Sequence, residues 1–453
     1  MTERKTNRRE FLETMGAVGA ASAVIGSGTA LAGFLADKPE KLAIDGGTPV
    51  RSGGLGSGPY GTQFYDEVEE QELLDVLRSR SPFRREGGKV VQFEQEYAAH
   101  LGAKFAIGVT SGTTALYAAM AALEVGPGDE VILPAWNWYA DYDVIVLSGA
   151  LPVFAEIDDS FGIDPADIER HITPRTKVII AAHLEGCPCD MDAILAIAKK
   201  HKIRVLEDCA QCAGGKYKGK YVGTIGDIGI NSFQLSKTIT SGEGGAVVTN
   251  DPVLYERAFR FHDVGSAGRT CNESIGKGVL AGFASCNFRM NEFTAAVLRG
   301  QLRKLETICG ALRANAKKVR EGIADLPGLK LRKSGDIEGD LGMRIFLDMG
   351  TPERRDRFLR AVRAEGISAN GPGGSAILPV SPRVADKATI HPDWPTFRSP
   401  QGQAIRYGAE CCPRTIDILG RHGGVIIGPK YSEQDVADVI AAVRKVYLAM
   451  GAA

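Results

Sequence analysis

Lys177-Val178-Ile179-Ile180-Ala181, then a helical stretch over 191–201, then Ile203-Arg204-Val205-Leu206-Glu207-Asp208: this strand–helix–strand unit decides the fold. The two flanking runs are short and continuously apolar, as strands buried on both faces are. The same alternation extends outward. Phe105-Ala106-Ile107-Gly108-Val109, Glu130-Val131-Ile132-Leu133-Pro134 and Leu151-Pro152-Val153-Phe154-Ala155-Glu156 read as strands. Helices are expected over 67–78, 112–123, 141–148 and 164–172, the last with Pro165 in its first turn. Strands separated by helices predict an α/β domain with a mostly parallel sheet sandwiched by helices. In such a sheet ligands sit at the carboxyl ends of the strands.

Beyond Arg289 the pattern changes. A long helix is expected over 291–312, then a strand over 343–348, a helix over 353–365, a loop-rich stretch over 369–403 and a final helix over 433–448. This predicts a smaller C-terminal α+β domain. The expected division is an N-terminal arm at 37–65, a large domain at 66–305 and a small domain at 306–453. The arm is rich in Gly, Pro and Ser. Its Gly54-Leu55-Gly56-Ser57-Gly58 is not a dinucleotide fingerprint, because no strand precedes it and no helix follows at once.

The first 36 residues are of another kind. Arg4, Lys5, Arg8 and Arg9 precede Glu10-Phe11-Leu12, and nothing is charged from Thr14 to Ala36. Ala30-Leu31-Ala32 has the small-x-small form of a cleavage site. Residues 1–36 therefore read as a signal peptide, and Asn7-Arg8-Arg9-Glu10-Phe11-Leu12 resembles the twin-arginine export signal. Export to the periplasm or beyond is expected, with a cytoplasmic location if the signal is not used.

The chain has 453 residues, 44% hydrophobic and 24% charged, with a formal net charge of −1. These are globular values. There is no basic excess to support nucleic-acid binding. Nine cysteines show no metal spacing, and an odd count argues against a full disulfide framework. They read as small buried apolar residues, and no metal is expected.

Four segments carry chemistry. Thr110-Ser111-Gly112-Thr113-Thr114 lies between a strand and a helix, where backbone N–H groups and the dipole attract an anion; the same residues serve as a plain N-cap. Trp136 and Trp138 follow the next strand and would stack on a flat ring or simply pack. Asp208 ends an apolar strand, where a carboxylate is costly unless paired, with a protonated pyridine nitrogen or as the cap of the next turn. Gln211 follows, as a ring contact or a structural residue. Ser232 and Lys237 precede the tight turn Ser241-Gly242-Glu243-Gly244-Gly245. A loop lysine is ordinarily exposed, but one desolvated becomes nucleophilic. In this order, lysine, acid and serine could serve the aldehyde, ring nitrogen and phosphate of pyridoxal 5′-phosphate (PLP).

Together, Thr110–Leu116, Gly126-Pro127-Gly128-Asp129-Glu130, the stretch 183–192, Glu207-Asp208-Cys209-Ala210-Gln211, the stretch 232–245 and Asn287-Phe288-Arg289-Met290-Asn291-Glu292 resemble the DegT/DnrJ/StrS family. These are PLP-dependent sugar and cyclitol aminotransferases of fold type I, and the match runs over roughly residues 40–450. The resemblance implies covalent attachment of PLP to Lys237, a pyridinium contact from Asp208, a ring contact from Gln211 and stacking by Trp138. It implies phosphate contacts from Thr113, Thr114 and Ser232, and from Asn287 of a neighbouring subunit in a homodimer with shared sites. The reaction implied moves an amino group from glutamate or glutamine to a keto-sugar or keto-cyclitol. A PLP-dependent dehydratase or epimerase and a non-catalytic exported sugar-binding relative are the alternatives. The chain departs from the family in its export signal and in Cys209, where alanine is common. Its 369–425 segment, with Asn370-Gly371-Pro372 and His391-Pro392-Asp393-Trp394, looks more like the cyclitol branch. Some relatives carry histidine in place of the lysine and dehydrate; Lys237 stands against that.

Overall fold

The computed structural model describes residues 40–84, 86–265, 280–373 and 375–451. The expected signal peptide, its cleavage site and the first three residues of the arm lie outside the described residues. The seven strands of the main sheet are β1 (Phe105–Val109), β2 (Glu130–Pro134), β3 (Leu151–Ala155), β4 (Thr176–Ala182), β5 (Arg204–Asp208), β6 (Ile228–Ser232) and β7 (Gly245–Thr249). Their spatial order is β1-β7-β6-β5-β4-β2-β3. β7 alone runs antiparallel to its neighbours, and every other pairing is parallel.

Alternation along the strands builds two apolar layers. Ile132, Ile179, Ala181 and Val205 point to one face, packing with Phe93, Ile194 and Leu298 from the helices Lys89–Leu101, Met191–His201 and Glu292–Leu302. Val131, Leu133, Val178, Ile180 and Leu206 point to the other, against Leu116, Val144 and Ala258 from Gly112–Ala122, Tyr139–Leu147 and Pro252–His262. A sheet covered on both faces leaves the strand ends as the place for polar chemistry.

The long helix expected over 291–312 is two helices, Glu292–Leu302 and Leu305–Ile323. The chain unwinds at Arg303–Lys304, where both sides of the break reach Glu69. Gln301 Nε2 donates to its Oε1 at 2.8 Å and Lys304 Nζ to its Oε2 at 2.5 Å. Gly300 makes room, since a Cβ there would lie 2.9 Å from the Glu69 carboxyl carbon.

A second, antiparallel sheet contains Arg344–Asp348, His422–Ile426 and Ala369–Asn370, with His422–Ile426 in the middle. That central strand was not anticipated, because it contains His422-Gly423-Gly424. Its glycines are there for packing: a Cβ at Gly424 would lie 2.6 Å from the Phe346 ring. The segment 376–412 returns to the main sheet. Leu378 N–H donates to Ala135 O at 2.8 Å, Trp394 Nε1 to Val146 O at 2.7 Å and Tyr407 Oη to Pro152 O at 2.7 Å. Cys187, Cys189, Cys209, Cys212, Cys309 and Cys412 are buried and unpaired. No helix among the described residues is long and apolar enough to cross a membrane.

Candidate active site

A cavity of about 640 Å³ opens at the carboxyl ends of β1, β2, β4, β5 and β6. Thr113, Trp138, Asp208, Gln211, Ser232 and Lys237 all line it. Each reaches it by a local device.

The helix Gly112–Ala122 starts at the cavity with a capping box. Ser111 Oγ accepts from Thr114 N–H at 3.1 Å, and Thr114 Oγ1 accepts from Ser111 N–H at 2.9 Å. Thr114 is therefore occupied in holding the helix end and does not line the cavity. The Gly112 and Thr113 amides, one and two residues into the helix, have no intrahelical partner and suit an anion. Gly112 brings this end against β6, because a Cβ there would lie 2.7 Å from Ser232 Cβ. That close approach of the helix start to Ser232 depends on the missing methyl.

Glu207 fixes the end of β5. Its carboxylate accepts N–H groups of Gly223, Ile225 and Gly226 at 2.8, 2.7 and 2.6 Å. His183 Nδ1 accepts from Cys189 N–H at 3.0 Å, so Nε2 carries the proton and donates to Glu207 Oε2 at 3.0 Å. His183, Glu207 and Cys209 lie within 4.8 Å of one another, yet the histidine and the carboxylate are committed to protein partners. That arrangement describes a brace, not a vacant metal site. The brace holds Asp208, whose Oδ1 accepts from Ala210 N–H at 2.8 Å. Behind Asp208 lies Asp141, fully buried. Burial, and then the Asp208 charge, push its carboxyl well above the ordinary range.

Lys237 sits in the β6–β7 connection. Phe233 N–H donates to Gly244 O at 2.8 Å, Leu235 N–H to Gly242 O at 3.0 Å and Lys237 N–H to Gln234 O at 2.9 Å, which ties the loop to itself. Gly242 adopts φ +84°, a conformation glycine takes without steric cost. Burial pushes the Lys237 ammonium below its ordinary value, against the opposing pull of Asp208, Glu185 and Glu243. Trp138 leaves its indole 53% exposed at the wall. Gln211 Oε1 accepts from Glu185 N–H at 3.2 Å, and its Nε2 donates to Ser375 Oγ at 3.0 Å.

Asn287 does not line this cavity. It bridges to Asp263, and its Oδ1 accepts from Arg289 N–H at 3.4 Å. The sequence reading missed Asp141, Glu185, Glu243 and Arg344. Glu185 stood inside the quoted stretch 183–192 and Arg344 at the head of an expected strand, but only tertiary packing brings them to Lys237.

The donor set fits PLP: an exposed indole for the ring, a buried carboxylate for the ring nitrogen, free helix-end amides for the phosphate and a desolvated lysine for the aldehyde. Fold and site define a PLP-dependent aminotransferase of fold type I. The profile of the DegT/DnrJ/EryC1/StrS aminotransferase family matches residues 64–371, and the chain belongs to that family. It is 31% identical over 438 residues to the L-glutamine:2-deoxy-scyllo-inosose aminotransferase of Micromonospora echinospora, covering 90% of this chain and 97% of the relative. It is 38% identical over 306 residues to the GDP-perosamine synthase of Vibrio cholerae, covering 67% and 81%. The crystal structure of 3-amino-5-hydroxybenzoic acid synthase superposes with a TM-score of 0.70 at 27% identity, covering 86% of this chain and 99% of that one.

Proposed function

We propose that the protein transfers the amino group of glutamine or glutamate to the ketone of a cyclitol or sugar, acting as a homodimer after export by the twin-arginine route. The observation that carries the reading is Lys237, a desolvated amine sharing one cavity with Asp208 and Trp138. The relatives' names support a cyclitol or sugar acceptor and glutamine as donor.

Bound PLP supplies an electron sink that makes the donor's Cα–H acidic. Lys237 Nζ would hold its aldehyde carbon, Asp208 its ring nitrogen, Trp138 its ring face, and Ser232 with the Thr113 helix end its phosphate. When not holding that aldehyde, Lys237 Nζ would be placed to take the donor's Cα proton. Its depressed proton affinity keeps a larger neutral fraction for that task at a given pH. The same Nζ returns a proton on the other side of the transfer. The Asp208 carboxyl group, at the end of β5, would hydrogen-bond the ring nitrogen. Asp141, neutral behind it, adds no second charge. Glu207 and His183 fix the strand end so that Asp208 does not drift.

The test is a half-reaction series. Borohydride should fix PLP to Lys237, located by peptide mass, and glutamine or glutamate should release its 2-oxo acid only when a keto-cyclitol or keto-sugar regenerates the enzyme. Failure to retain PLP would overturn the reading. Acceptor turnover without a donor would favour dehydration or epimerisation. Sugar binding with no turnover at all would favour the non-catalytic relative.

A further inference from the structure

Arg344 opens the strand Arg344–Asp348 and lines the Lys237 cavity. A guanidinium has five N–H donors. Among the described residues its one side-chain hydrogen bond is Nη1 to Glu185 Oε1 at 3.1 Å. Glu185 is the more buried partner, at 7% exposure against 23% for Arg344. Its Oε1 also accepts from Gly373 N–H at 3.3 Å, while Oε2 takes no protein hydrogen bond among the described residues.

Glu185 is held there under strain. Its backbone adopts φ +53°, in the left-handed region that a glutamate seldom occupies. The side-chain oxygen of Gln211 grips its amide. Strain of this kind clusters where a side chain must be presented to a ligand. Burial holds the Glu185 carboxyl above its ordinary value, against the opposing pull of Arg344.

Resting on the proposed transamination, the cavity must take two chemically different guests in turn. The donor and its 2-oxo acid product carry an α-carboxylate; the cyclitol or sugar acceptor offers hydroxyls. A bare arginine would suit the first and be left as an unpaired, desolvated cation beside the second, a costly arrangement. A fixed ion pair would suit the second and shut out the first.

We propose that Arg344 and Glu185 form an exchangeable ion pair, in which Arg344 receives the donor's carboxylate and Glu185 covers Arg344 and accepts hydroxyl hydrogen bonds when the polyol ketone is bound. The planar fork of Arg344 matches a carboxylate with two parallel N–H···O bonds. The incoming carboxylate replaces Glu185 charge for charge. Glu185 Oε2, which faces no donor among the described residues, is the acceptor for a hydroxyl.

The experiment is calorimetric titration of the PLP-loaded protein with two unreactive probes, glutarate for the carboxylate and myo-inositol for the polyol. Arg344→Gln should weaken glutarate by about tenfold or more, the scale of a lost charge-assisted hydrogen bond, and leave myo-inositol within about twofold. Glu185→Gln should move the probes in opposite directions: glutarate tightens by about threefold as its internal competitor disappears, and myo-inositol weakens by about fivefold. Arg344→Lys keeps the charge without the fork and guards against a folding defect in the glutamine variant; it should recover part of the glutarate affinity. Glutarate binding unchanged in Arg344→Gln, glutarate weakened in Glu185→Gln, or no glutarate binding by the parent would each overturn the pair. If no donor is ever converted but the two variants behave as stated, the aminotransferase reading fails and the carboxylate site stands. Donor conversion with glutarate indifferent to Arg344 is the reverse.

Discussion

Asp141 is a carboxyl group with no reason to ionise. Asn137 Nδ2 donates to its Oδ2 at 2.5 Å, no donor among the described residues reaches its Oδ1, and its neighbour is Asp208. Two buried carboxyls in contact share one proton, and the wholly enclosed one keeps it. An unfolded aspartate loses that proton near pH ~4, whereas folded Asp141 retains it far higher. The folded chain thus binds more protons across that window. This contribution to stability is full below the ordinary carboxyl value and is lost as pH rises through the raised one. Urea midpoints of the PLP-free protein from about pH 5 to 8 should therefore fall less steeply in Asp141→Asn, which still accepts from Asn137 and does not titrate. Equal slopes would remove the shared proton. Asp141→Ala strands both partners and should cost about 1–3 kcal/mol at any pH in that range. The residues that sequence reading singled out at this site, Lys237, Asp208, Gln211, Ser232, Thr113 and Trp138, were legible because each ends a strand or stands in the short connection after one. Asp141, Glu185 and Arg344 were not. An aspartate in a helix's first turn, a glutamate in a connection and an arginine on a strand each have an ordinary surface use, and nothing local marks them for the site.

The same limit governs the elements. Strands β1 to β5 declare themselves as apolar runs, but β6 was read only through its motif residues. Its Gly229 is obligatory, because a Cβ there would lie 2.3 Å from Gly223 O. The helix Lys89–Leu101 escaped notice for another reason. Its N-cap is Gly88, with no side-chain cap of its own. The cap comes from far along the chain, where Glu292 accepts N–H groups of Gly88, Lys89 and Val90 at 2.7, 2.6 and 3.2 Å. Glu292→Ala leaves those amides without their acceptor and should lower unfolding free energy by about 2–3 kcal/mol in urea titration, whereas a loss below about 0.5 kcal/mol would show that the helix is held by packing alone. A methyl at Gly112 acts differently. Gly112→Ala wedges the helix end away from Ser232, so PLP affinity, measured by equilibrium dialysis, should fall by about tenfold. Unchanged affinity would mean that the Thr113–Ser232 gap is not where the phosphate sits.

At the scale of the molecule, the arm is tied to Glu365 and the C-terminal helix by long-range contacts that no local pattern announces. Glu365 accepts from Ala43 and Val50 N–H groups at 2.8 and 3.0 Å and from Lys445 Nζ at 2.9 Å. Arg51 reaches both Asp435 and Asp438. These contacts complete one chain but leave Asn287 outside its own cavity, where a residue lent to a neighbouring subunit would stand. The question has a counting answer. Lys237→Ala and Asn287→Ala homodimers should each be inactive or nearly so. Mixed in equal amounts through a reversible dissociation step, half the dimers become hybrids. If Asn287 serves the opposite subunit, each hybrid contains one intact site, with Lys237 from one chain and Asn287 from the other, beside one doubly altered site. Half the dimers with one good site of two gives about a quarter of the parent activity. If Asn287 served its own chain, or no site at all, the two defects would never separate or the second would have no effect, and the mixture would show no recovery above its two components. Light scattering of the same mixture fixes whether dimers form, so an absent gain in activity from dimeric protein counts against sharing, and a monomeric protein with full turnover counts against the homodimer itself.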